Sequence, residues 1–213
     1  NRIEAVVEWW LFILQSRKIS LFVADYAPMG LLAARCLGIP TISVGQGYGL
    51  PPWQMPEFPV LNPKHSIRLH DEAKILASIN RIMQRKGGPS LSSFPEIYRS
   101  DCDLVQTLPM LDPYRDARQG SYLPPSTDIS DVTAGAGDEV FIYFSTQEIN
   151  DPNIVKAVAE LSLPRRGFLP AASPELADML TKSGMIVESA PVPANEIARR
   201  SRMIVSSGQH GML

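Results

Sequence analysis

What most constrains the fold of this chain is a series of short apolar runs separated by helical stretches. Val140–Phe144, Arg166–Leu169, Met185–Val187 and Met203–Val205 read as strands, with Asn150–Leu161, Pro174–Lys182 and Ala194–Arg200 as helices between them. Strands that return about every 20 residues with helices between predict parallel βαβ units, a Rossmann-like half. The first part of the chain carries a similar rhythm. A helix runs to Arg17, and the run Leu21-Phe22-Val23-Ala24 then ends at Asp25-Tyr26-Ala27-Pro28. Four apolar residues in succession suit a strand buried on both faces of a parallel sheet. Pro28 opens a helix whose apolar stripe includes Leu31, Leu32 and Ala34. Gly38 in a left-handed cap and Pro40 just beyond stop it, and a second strand follows at Thr41–Val44. So short an αβ connection supports parallel strands.

Asp71–Lys86 reads as a helix with Ile75, Leu76, Ile79, Ile82 and Met83 on one face, and Cys102–Leu108 is a further candidate strand. Pro124–Asp138 is poor in bulky apolar residues and rich in turn formers, which marks a linker. The expected class is therefore α/β, with one Rossmann-like domain over residues 1–123, a linker at 124–138 and a second at 139–213.

Composition narrows the function classes. At 45% hydrophobic and 20% charged the chain is globular, and 20 Lys+Arg against 22 Asp+Glu leave no nucleic-acid footprint. Cys36 and Cys102 are too few for a disulfide scaffold or a self-contained zinc site. The most apolar stretch, Trp9–Leu14, is flanked by Glu8 and Gln15 and falls far short of the roughly 20 residues of a membrane span. It is expected to be a buried or half-buried helix. The expected compartment is the cytoplasm, or the inner membrane surface where an acceptor substrate lies there.

Several residues could carry chemistry. Asp25 sits at the carboxyl end of a parallel strand, where open α/β sheets bind ligands, but it can equally cap the helix after Pro28. Ser206-Ser207-Gly208-Gln209-His210-Gly211 follows another strand, and its glycines allow backbone to approach a phosphate. It lacks the Gly-Lys-Ser/Thr of a Walker loop. Ser145-Thr146-Gln147 can meet a phosphate or cap the helix near Asn150. The proline-rich segment Gly45–Pro63 is either a binding loop, with Tyr48 and Trp53 lining an apolar pocket, or a packed proline loop. His65 and His70 lack a third metal ligand nearby, and no Gly-x-Ser-x-Gly elbow supports a serine hydrolase.

Three passages together resemble the B-fold glycosyltransferases that use nucleotide sugars, in the macrolide, sterol and natural-product branch. They are Leu21–Pro40 with its following strand, Leu108–Tyr114 with Tyr122–Pro125, and Ala190–Gly211. The resemblance implies two Rossmann-like halves, both incomplete here, and a chain that is the central part of a longer protein. It implies transfer of a hexose from a nucleotide diphosphate sugar to a hydroxyl of an apolar small-molecule or lipid acceptor, without a metal. Asp25 matches the aspartate that orients a catalytic histidine on the acceptor domain. Ser207, Gly208, Gln209, His210 and Gly211 match the turn on the donor phosphates, and Val192 the loop against the base. Ser145 and Thr146 join the expected donor contacts, and Tyr48 and Trp53 the acceptor contacts. Ser207 stands where such proteins usually have His, and Gln209 where they usually have Gly. Those departures favour the alternative, a non-catalytic glycosyltransferase-like binding or auxiliary protein. Exposed sheet edges add the expectation of a partner or self-association.

Overall fold

A computed structural model describes residues 2–62, 64, 70–124 and 135–208. The chain divides into two compact units, Asn1–Ser126 and Thr127–Leu213. Most of the expected linker, residues 125–134, lies outside the described residues.

In the first unit, α1 (Arg2–Ser16) buries Val7 and Leu14, two turns apart, with Ile3, Trp10 and Leu11 packed beside them. That seven-residue spacing places them on one helical stripe. The expected burial of Trp9–Leu14 is thus split, because Trp9 and Phe12 point to solvent. β1 (Phe22–Asp25) leads into α2 (Pro28–Leu37), where Pro28 fixes the first turn. Gly38 ends α2 at φ +64°, and its N–H bonds the last carbonyls. β2 (Thr41–Gly45), α3 (Glu72–Arg85), β3 (Cys102–Gln106) and β4 (Tyr122–Leu123) complete the unit. The sheet runs β1-β2-β3-β4, all parallel, with Asp25 paired to Val44 and Val44 to Leu104.

The core joins α1, α2 and α3 to one face of this sheet, through Phe22 and Ala24. The opposite face differs from the expectation. Val23, Leu104 and Leu123 are exposed, because the described elements cover only the Phe22–Ala24 side. The apolar run at β1 is therefore buried on one face rather than both.

The second unit contains β5 (Glu139–Tyr143), α4 (Pro152–Glu160), β6 (Arg165–Phe168), α5 (Pro174–Lys182), β7 (Met185–Glu188), α6 (Ala194–Arg200) and β8 (Ser201–Ser206). Its sheet runs β7-β6-β5-β8, again all parallel. Val140, Ile142, Val158, Leu180 and Met185 form its core. Asp151 caps α4 through Asn153 N–H and Ser173 caps α5 through Leu176 N–H.

Buried Arg165, the first residue of β6, closes both helices at the other end. Its guanidinium donates to the carbonyls of Val158 (2.8 Å) and Ala159 (2.6 Å) in α4 and to that of Ser183 after α5. A cation there also meets the negative ends of both helix dipoles. Arg165→Met should cost about 1.5–3 kcal/mol, the scale of hydrogen bonds to a charged group. Urea unfolding checks this: a lowered midpoint is expected, and an unchanged one contradicts the capping role.

Candidate functional site

In parallel α/β sheets, loops leaving the carboxyl ends of the strands are free to carry function, and both units gather polar side chains there. In the first unit Asp25 ends β1 with an exposed side chain. It does not cap α2, whose N-cap is Ala27 with no side-chain bond. Among the described residues the Asp25 carboxylate makes no hydrogen bond or ion pair. A Cβ on Gly45 would stand 3.4 Å from its Oδ1, so glycine keeps the space beside it open. Tyr26 follows at φ +47°, left-handed backbone that is costly for an aromatic residue.

The rings of Tyr26 and Tyr98 lie 6.0 Å apart. Tyr48 and Tyr114 are close enough to act on their hydroxyls. Burial first, and then the neighbouring phenols, push Tyr98 well above the ordinary tyrosine range and Tyr114 up to about 12. Both stay protonated, as hydrogen-bond donors, at neutral pH. Tyr26 and Tyr48 are exposed and Tyr98 and Tyr114 are buried, so the group runs from solvent into the unit. Of these four tyrosines, sequence reasoning singled out Tyr48 alone. The other three come from distant segments and carry no local signal.

The loop bearing Tyr48 is packed rather than loose. Arg118 donates to the carbonyls of Gly47 (3.1 Å) and Leu50 (2.9 Å) and pairs with Asp112. Asp112 accepts further bonds from Tyr114 N–H (3.0 Å) and Tyr122 hydroxyl (2.9 Å). Burial pushes the Asp112 carboxyl up, but the bonds from Arg118, Tyr114 and Tyr122 outweigh it and hold the pKa below the ordinary value. Further along, Ser93 bonds the Met55 carbonyl, and the Glu72 carboxylate accepts from Phe58 N–H. Gly47 is required by closeness: a Cβ there would meet Asp112 Oδ1 at 2.7 Å.

Trp53 lies elsewhere, under the guanidinium of Arg99 at 5.0 Å. Arg99 lines a cavity of about 500 Å³ with Arg35, Thr41, Glu96 and Asp101. That cavity faces the amino ends of β2 and β3. Its charges are largely engaged, Glu96 with Arg99 and Asp101 with Thr41. The carboxyl ends are the better candidate site.

In the second unit, Ser145 and Thr146 follow β5, and Ser207 and Gly208 follow β8, its direct neighbour in the sheet. Neither Ser145 nor Thr146 caps α4, a role taken by Asp151. The Thr146 hydroxyl donates to the carboxylate of Glu148. Ser206 Oγ accepts from Gly208 N–H at 3.2 Å and shapes the turn. Val192 is half-buried just before α6. Gln209, His210 and Gly211 lie outside the described residues, as does His65. Glu148 was missed in the sequence, where it reads as an ordinary charge near a helix start. His70 is exposed, and among the described residues no group of three His, Cys, Asp or Glu side chains could hold a metal ion. No helix among them is long and apolar enough to cross a membrane.

No protein-family model matches the sequence, and no curated protein does either. Solved structures do match. Spinosyn rhamnosyltransferase SpnG is 18% identical at a TM-score of 0.56, with 96% of this chain and 52% of that one covered. CalG4, the calicheamicin glycosyltransferase, is 12% identical at 0.58, with 96% and 54% covered. Spinosyn forosaminyltransferase SpnP is 13% identical at 0.53, with 96% and 56% covered. The chain thus spans about half the length of these proteins. Its two units have the architecture of the two Rossmann-like halves of the glycosyltransferase-B fold.

The Arg118 clamp yields a stability test. Arg118→Ala leaves a buried carboxylate unpaired and should cost about 3–5 kcal/mol. Because the folded pKa of Asp112 is depressed, its contribution is complete above the unfolded value of about 3.9 and is lost as pH falls through the folded value. Urea midpoints measured against pH should therefore fall on the acid side in the native protein. Asp112→Asn should flatten that part of the profile.

Proposed function

We propose that this protein transfers a hexose from a nucleotide diphosphate sugar to a hydroxyl of an apolar small-molecule or lipid acceptor. The observation that carries the reading is the free carboxylate of Asp25, set at the carboxyl end of β1 and not spent on capping α2. In the resemblance, this aspartate orients a histidine base and stabilises the imidazolium formed as the acceptor hydroxyl is deprotonated. The first unit takes the acceptor, with Tyr48 and the phenols beside it offering aromatic faces and hydroxyl donors. Trp53 belongs to the same unit, on the Arg99 side.

The second unit takes the donor. Ser145, Thr146, Ser207 and Gly208 supply hydroxyl and amide groups for the diphosphate, and Val192 lies against the base. The resemblance assigns Gln209, His210 and Gly211 to the same donor contacts. As the anomeric bond breaks, negative charge grows on the leaving diphosphate, and preorganised donors of this type stabilise it. The reading assigns no metal to the reaction and locates the protein in the cytoplasm.

One observation favours a second reading, a non-catalytic glycosyltransferase-like binding or auxiliary protein. The Thr146 hydroxyl is already engaged by a carboxylate of the chain itself, that of Glu148. Two measurements separate the readings. In a protein carrying this chain, Asp25→Asn should lower kcat for glycosyl transfer by about 10²- to 10⁴-fold, the range for loss of acid–base assistance. Full activity of that variant removes Asp25 from the mechanism. Calorimetry with nucleoside diphosphates should show saturable binding, whereas none up to millimolar concentration supports the auxiliary role.

A further inference from the structure

We propose that Tyr26 is a positioning residue for Asp25: its left-handed backbone ends β1 sharply at the aspartate, and its ring holds that turn so that the carboxylate stays beside Gly45. This rests on the reading of Asp25 as the aspartate that orients the base. The turn has little room. β1 ends at Asp25 and α2 begins at Pro28, so only Tyr26 and Ala27 link strand to helix. A residue before proline is kept out of the helical region, and Ala27 accordingly stands at φ −119° and ψ 61°. The change of direction falls on Tyr26, at φ +47°. Among the described residues Lys18 is the only other non-glycine at positive φ.

Left-handed backbone strains an aromatic residue and leaves glycine unstrained. Burial does not explain the choice of residue, because Tyr26 is 58% exposed. Strain that packing does not require points to function. Ring contacts hold the turn. The Tyr26 ring lies 6.0 Å from that of Tyr98, which is buried at the end of the short 3-10 helix Pro95–Tyr98. Phe58 packs edge-on against both Tyr98 (6.0 Å) and Phe94 (5.3 Å) and so steadies Tyr98. A Cβ on Gly49 would stand 3.6 Å from Tyr26 Cδ2, so the loop after β2 runs alongside the Tyr26 ring. Gly45, which opens that loop, has the Asp25 carboxylate beside it. Aspartate and tyrosine thus meet one stretch of backbone, and Arg118 fixes that stretch through the Gly47 and Leu50 carbonyls. Relaxing Tyr26 to ordinary backbone would turn the peptide after Asp25 and carry the carboxylate away from Gly45.

Crystal structures of the native protein, Tyr26→Gly and Tyr26→Ala test this without any ligand. Glycine takes left-handed backbone freely, so Asp25 should stay beside Gly45 in that variant. Alanine has neither that freedom nor the ring, so the carboxylate should move by about 1 Å or more, the scale of misplacement that matters for chemistry. An Asp25 that stays put in Tyr26→Ala overturns the proposal, and so does one that moves in Tyr26→Gly. Kinetics with UDP-glucose and umbelliferone give a second readout. Tyr26→Ala should lower kcat roughly 10- to 100-fold with KM little changed. Tyr26→Gly should keep kcat within about threefold of native, and in an Asp25→Asn background Tyr26→Ala should add no more than about a twofold loss. A rise in KM shared by the Gly and Ala variants means that the ring itself meets the acceptor, which overturns the positioning role. No transfer by the native protein counts against the glycosyltransferase reading instead, and the crystal structures then decide the positioning role alone.

Discussion

The buried ion pair between Arg118 and Asp112 is the contact on which the candidate site of the first unit depends. A guanidinium has five donors in a fixed planar fork, and here one terminal nitrogen donates to the Gly47 and Leu50 carbonyls while Nε donates to Asp112. The carboxylate in turn bonds the Tyr114 backbone and the Tyr122 hydroxyl, so the loop after β2, the segment before β4 and β4 itself share one polar centre. A lysine could supply the charge but not this geometry. The loop that presents Tyr48, and the buried Tyr114 beside it, are placed by that centre rather than by apolar packing alone.

The second unit solves a similar problem with two adjacent arginines on opposite faces of β6. Arg165 points into the core and terminates α4 and α5. Arg166, its neighbour, points the other way and pairs with Glu139 of β5 and Glu188 of β7. Arg200 adds a second cation on Glu139. Period-two alternation along a strand makes this division possible, and it holds three strands in register. Fixed register is what brings the residues after β5 and after β8 side by side.

Much of the fold was legible because parallel strands and their crossover helices leave local signatures. The Leu21–Val44 stretch contained its own strand, Pro-started helix, Gly stop and second strand, and the structure has all four. The strand rhythm after residue 139 was equally direct. Burial was less legible: Leu21–Ala24 looked two-faced because apolar identity does not tell which neighbours cover a face, and Val23 is exposed. The site was half legible. Asp25, Ser145, Thr146, Ser207 and Gly208 could be proposed from strand ends, since that rule depends only on local order. Tyr26, Tyr98, Tyr114 and the bonds from Arg118 to the loop that carries Tyr48 could not, because each gains its meaning from a partner far away in sequence.

The account's central claim is that the carboxyl ends of β5 and β8 form the donor-phosphate site. A crystal structure of the protein with a nucleoside diphosphate tests it most directly. The claim predicts phosphate oxygens on Thr146 and Ser207. Phosphate bound instead among Arg35, Arg99 and Thr41 at the amino ends of the first sheet would contradict it.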